Sequence, residues 1–311
     1  MASVSRLHLS RAVHTIVSEL EAFLADAQER RGLSANTIRS YRCDLRATGT
    51  VLTAPLDDIT MAAVETFLVA RHEMPGTTNR RIASLGRFFV WAMRQGYCGT
   101  NPIALIETKR EDAHLPRPIR TKDDLKALDV AIAAGPQPYR LIFTLLRETG
   151  MRADEVLSLN IGDVTLDSGR EGLHVREAKN GIDRTVVLTP DVMPKSLRGL
   201  RAWLRQIGEN PAPHIPLFRS NRGTRVSYDA LHYRWLQICS AANLVDLVDG
   251  KEQPRYTIHQ LRHTVGSTLI GHYPEQIVSR MHGHRDPRST RRYAEVNEDQ
   301  VRAALSGKYR R

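Results

Sequence analysis

The stretch YTIHQLRHT, residues 256 to 264, crowds two histidines and an arginine into five positions. On a helix the i, i+3, i+4 spacing sets His259, Arg262 and His263 on adjoining parts of one face, where their nitrogens could converge on a metal, a phosphate or water. A second arginine stands out in TGMRADEV, where Arg152 follows a glycine turn and Glu155 lies three residues further along a new helix. A cation at a helix start is electrostatically unfavourable, which points to another purpose. Glu155 either closes an ordinary intrahelical ion pair, worth a few tenths of a kcal/mol, or orients a guanidinium that turns its planar donor fork towards phosphate oxygens. Lys179 sits in EAKNGIDRTVVL beside an Asn-Gly pair and, taken alone, is a solvated turn lysine. Near the end of the chain, SRMHGHRDPRSTRRYAEV places His282, His284 and Tyr293 among five arginines, at 280, 285, 288, 291 and 292.

The His259/His263 pair does have the spacing of a zinc-binding helix, with His282 and His284 as further ligands. Against that, Gln260 stands where such a motif needs its general base, and Arg262 would set a fixed positive charge beside the ion. No metal is expected.

Composition narrows the ligand further. The 311-residue chain carries 45 Lys and Arg against 34 Asp and Glu, a formal charge of +11 and a pI near 9.9, which favours a polyanionic partner. Only 6% of the residues are aromatic, which argues against a surface that stacks single-stranded bases and for one that grips a duplex backbone. Cys43, Cys98 and Cys239 are odd in number and far apart, so they form neither a disulfide framework nor a thiolate zinc site, and a reducing compartment fits. No apolar run reaches the roughly 18 residues of a membrane span, and the first residues lack a signal-peptide core. A cytoplasmic protein without membrane contact is expected.

The length predicts two domains. Residues 1–104 form the first domain, which from residue 12 to about 95 reads as consecutive helices: Ser34 is an N-cap for ANTIRSYRCDLRA, Thr60 caps the next helix, and Ile82, Leu85, Phe89 and Ala92 are spaced for burial on the one after. Arg80, Arg81 and Arg87 then fall largely outside that stripe, available to face phosphates. A proline-rich change of texture marks a linker over residues 105–118. From 119 to 311 helices are interrupted by two β-prone runs around Asn180-Gly181, a strong hairpin signal because both residues tolerate positive φ. Helices are expected from about Val192 to the end. The fold class is mainly α with a small antiparallel β-sheet.

Taken together and in order, TGMRADEVLSL, the lysine of EAKNGIDRTVVL, HQLRHT, HGH and a tyrosine nine residues after His284 closely resemble the tyrosine recombinase (phage integrase) family. The likeness runs from about Arg120 to Val296. LSANTIRSYRCDLRA adds a fainter match to that family's helical core-binding domain, and the overall size resembles the two-domain Xer-like members. The resemblance implies a helical, SAM-like N-terminal DNA-binding domain followed by an α+β catalytic domain. It also implies that Arg152 and Arg262 clamp a phosphate, with Glu155 orienting, that Lys179 is a general acid and Tyr293 the nucleophile, and that His259 and His284 complete the set. Met151 replaces a common leucine, and AKN replaces the glycines that often flank the lysine.

The activity so implied is site-specific DNA recombination through a 3′-phosphotyrosine intermediate and a Holliday junction, with no cofactor, by a homo-tetramer on two double-stranded DNA sites. There is room for an accessory or heteromeric recombinase partner. The alternatives are a catalytically inactive DNA-binding relative, or a related topoisomerase or telomere resolvase. Val301, Ala304 and Leu305 form a small apolar face on a short C-terminal helix expected to dock on a neighbouring protomer.

Overall fold

The computed structural model describes residues 13–30, 32–110, 117–176, 183–208 and 211–283. The chain divides into two compact units, Met1–His114 and Leu115–Arg311.

Among the described residues, the first unit is built from the α-helices α1 (Ile16–Glu29), α2 (Ala35–Gly49), α3 (Met61–Ala70) and α4 (Pro75–Gln95). Their starts are written locally. The Thr15 hydroxyl accepts from the Ser18 amide while the Ser18 hydroxyl accepts from the Thr15 amide, a reciprocal cap. Ser34 and Thr60 cap α2 and α3 as their sequence positions predict, accepting from the Thr37 and Ala63 amides. Pro75 opens α4, and Gly96 closes it at φ 75°, a left-handed turn that glycine enters without steric cost. Inward faces meet in an aromatic centre where Phe23 lies edge-on to Phe88 at 5.4 Å and to Trp91 at 5.6 Å, beside fully buried Leu45, Leu85 and Phe89.

One of the three arginines assigned to the solvent side of α4 is not there. Arg81 is 4% exposed. Its Nε and one terminal nitrogen donate to the two oxygens of Glu73 at 3.1 and 2.7 Å, and the other terminal nitrogen donates to the Asp44 carbonyl at 3.1 Å. Arg80 is exposed but fastened to the buried Asp44 carboxylate. The reason is helical geometry: Arg81 and Asp44 close a polar inset between α4 and α2 that periodicity of apolar residues cannot register. Arg87 remains exposed, against the Tyr41 ring.

The second unit begins with α5 (Lys122–Ala134), α6 (Tyr139–Thr149) and the short α7 (Ala153–Ser158). An antiparallel sheet follows in the order β1 (Val164–Thr165), β2 (Gly172–Val175), β3 (Arg184–Val187), with Val175 opposite Arg184. Then come α8 (Pro194–Ile207), α9 (Tyr228–Ala241), a second hairpin of β4 (Val245–Val248) and β5 (Lys251–Pro254), α10 (Ile258–Ile270) and α11 (Glu275–His282). That second hairpin interrupts the run of helices the sequence predicts there. Its turn is Asp249-Gly250 with φ of 50° and 72°, a conformation suited to a tight hairpin. Phe143, Val156, Leu173, Val186, Phe218, Trp235 and Leu261 make one core that joins helices and sheet. Among the described residues, no helix is long and apolar enough to cross a membrane.

Candidate active site

The turn between α6 and α7 organises the site. Gly150 ends α6 at φ 65°, and a Cβ there would lie 2.9 Å from the His282 Nε2 and 3.0 Å from a Val265 methyl carbon. Only glycine lets α10 and the end of α11 close onto this turn. Thr149, Met151 and His282 are all buried around it.

Arg152 occupies the cap position of α7, and the explanation for a cation at a helix start is Glu155 in the same first turn. The Glu155 carboxylate accepts from the Arg152 backbone amide at 2.9 Å and from its terminal guanidinium nitrogen at 2.8 Å. It also accepts a two-pronged contact from Arg184, at 2.9 and 2.8 Å, so one buried carboxylate serves two arginines. Burial pushes that carboxyl up, but the Arg184 fork, followed by the contacts with Arg152, outweighs it and holds the group at about 2.

Arg262 is buried on α10 and spans the junction. One terminal nitrogen donates to the Gly150 carbonyl and the other to the His282 carbonyl, both at 2.7 Å. Arg262 therefore fastens the turn that leads into Arg152 to the end of the helix that leads towards His284. His259 is exposed one turn earlier and meets His263 edge to face at 4.6 Å. Burial, then the nearby His259 and Arg262, push the His263 imidazole down to about 4, so it is neutral at physiological pH. Among the described residues, no three His, Cys, Asp or Glu side chains gather as a metal site.

Of the residues predicted for catalysis and for orienting the catalytic groups, Arg152, Glu155, His259 and Arg262 are described, and the first two are in direct contact. Lys179, His284 and Tyr293 lie outside the described residues. The flanks of Lys179 do form the expected antiparallel pair. Arg184 is the participant that sequence reasoning missed. A signal existed: in RTVV it shares a strand face with buried Val186, and an arginine on the inward face of a strand calls for a buried acid.

The phage integrase family model matches residues 120–300, and the N-terminal SAM-like domain of phage integrases matches residues 20–96. The tyrosine recombinase XerC of Rhodospirillum centenum is 28% identical over 295 residues, covering 88% of this chain and 81% of the relative. XerD of Staphylococcus saprophyticus is 27% identical over 293 residues, with 91% and 95% covered. In fold, the chain is similar to a lambda integrase tetramer bound to a Holliday junction, with TM-score 0.68, 20% identity and 88% and 78% covered. It is likewise similar to the XerH recombinase in a post-cleavage complex with a palindromic difH substrate, with TM-score 0.67, 21% identity and 93% and 84% covered.

Proposed function

The chain belongs to the phage integrase family, and from that premise we propose that it cleaves and rejoins double-stranded DNA at specific sites through Tyr293. The observation that carries this reading is the shared anchorage of two arginines: Glu155 holds Arg152, and Arg262 donates to Gly150, two residues earlier. Charges fixed in this way need no reorganisation as a phosphorane forms.

The chemistry explains why such groups are needed. A phenol ionises near pH 10, so holding Tyr293 as phenolate at pH 7 takes roughly 4 kcal/mol. Arg152 and Arg262 beside the scissile phosphate, with His259 and His284 at the non-bridging oxygens or the phenolic proton, offset this by stabilising the transition state. The Tyr293 oxygen bonds to phosphorus, the bond to the 5′ oxygen breaks, and Lys179 supplies the proton that oxygen needs to leave. A 3′-phosphotyrosine keeps the ester energy. The 5′ hydroxyl of a partner strand then attacks phosphorus and returns the phenol, which exchanges strands through a Holliday junction without an external energy source. Four protomers on two sites perform the two exchanges in turn, alone or with a second recombinase.

Nicked suicide duplexes carrying candidate sites from the DNA that flanks the gene are the test. Wild-type protein is expected to be trapped as a covalent adduct and Tyr293→Phe to give none. Equal trapping by both removes Tyr293 as nucleophile.

A further inference from the structure

We infer that Arg184 is a positioning residue for strand cleavage: it holds Glu155, and through Glu155 it sets the Arg152 guanidinium against the scissile phosphate. This rests on the reading that Arg152 contacts that phosphate. Arg184 begins β3, five residues in sequence beyond Lys179, the proposed general acid. Its two terminal nitrogens grip both oxygens of Glu155, the carboxylate that Arg152 also holds. Both members are nearly buried, at 10% and 7% side-chain exposure, so this is no surface pair rearranged freely by solvent.

The third contact of Arg184 points the same way. Gly283 stands at φ 63° against the guanidinium, and a Cβ there would come within 2.8 Å of the Arg184 Nε and 2.9 Å of its Cζ. Gly283 directly precedes His284. One side chain, on the strand that follows the lysine segment in sequence, thus touches the partner of Arg152 and stands against the residue that precedes the second proposed histidine. An arginine needed merely to pin the sheet would be satisfied by an acid at the sheet's own margin, as Arg176, just past the end of β2, is by Asp163, directly before β1, at 2.6 Å. Arg184 reaches off its sheet to α7 instead.

The test is single-turnover cleavage of a suicide duplex by the full-length protein, with rate at saturating protein and half-saturating concentration measured separately. Arg184→Gln is expected to slow saturated cleavage by about a hundredfold, the scale of an ångström of misplacement, while half-saturation moves by less than about twofold. Arg184→Lys, which keeps the charge but loses the fork, should recover at least about tenfold of that rate. Arg176→Gln, which removes the comparison pair at the strand end, should cleave like wild type. Combining Arg184→Gln with Glu155→Gln should be no slower than the slower single variant, because both act on one guanidinium.

Melting curves on each variant separate a misfolded protein from a misaligned one, and Arg184→Lys provides the reading if Arg184→Gln unfolds. Wild-type saturated rates in both Arg184 variants, losses that multiply in the double variant, or a defect confined to half-saturation each overturn the inference. A wild-type protein that forms no adduct with a site it binds overturns the proposed function itself, and this inference with it.

Discussion

At the scale of single residues, Glu155 is where electrostatics and stability meet. Its carboxyl, at about 2 against an ordinary 4.5, is stabilised by folding, and a difference of that size corresponds to roughly 3 kcal/mol. Because the folded-state value is the lower one, this contribution is complete above about pH 5.5 and is lost as the pH falls through 4.5 towards 2. Denaturant unfolding of wild type and Glu155→Gln should therefore diverge most near neutrality, with the gap narrowing by about 2 kcal/mol between pH 6 and pH 3. A gap independent of pH would mean that the carboxylate is not held by its arginines. Arg152 and Glu155 are legible from sequence because they sit in one helical turn, where spacing dictates contact. Arg184, 29 positions beyond Glu155, is brought there by a sheet whose registry no local pattern states.

At the scale of elements, several caps and turns whose determinant is local are read correctly. Ser34, Thr60 and Gly150 each do what their residue type favours. The β4–β5 hairpin shows the converse: Asp249-Gly250 carries a turn signal as strong as Asn180-Gly181, but its strands, VDLV and KEQP, are mostly exposed and lack an alternating apolar face to announce them. Helix α4 teaches a third lesson. Its apolar stripe is legible, but which arginines beside the stripe are spent on internal acids is decided by α2 and by Glu73, before α4 begins. Arg81→Ala should accordingly cost about 3 kcal/mol of stability, the penalty for breaking a buried pair, and leave the salt dependence of DNA affinity unchanged. Arg87→Ala should alter stability by less than about 0.5 kcal/mol and reduce the slope of log affinity against log salt by about one. Equilibrium unfolding and filter binding at several salt concentrations check both, and the reverse pattern would return Arg81 to the DNA face.

At the scale of the whole molecule, the +11 charge, two compact units and a chemistry that conserves ester energy belong to one logic. A duplex backbone supplies counterion release, which holds protein to DNA without selecting sequence. On the proposed function, selectivity and strand exchange need several protomers to act in turn, because a nick resealed by its own strand accomplishes nothing. Some contact between protomers must couple them, and the chain beyond Tyr293 is the segment proposed for it, through Val301, Ala304 and Leu305. If that segment docks on a neighbour, removing residues 298–311 should leave the unfolding midpoint of the free protein and its affinity for a single half-site within error. Assembly of higher-order complexes on paired sites should fall by at least about tenfold, the loss of some 1.4 kcal/mol of contact energy. Gel-shift titration read beside thermal unfolding separates the outcomes: unchanged assembly rules out docking in trans, and a lowered midpoint assigns the segment to its own protomer's core.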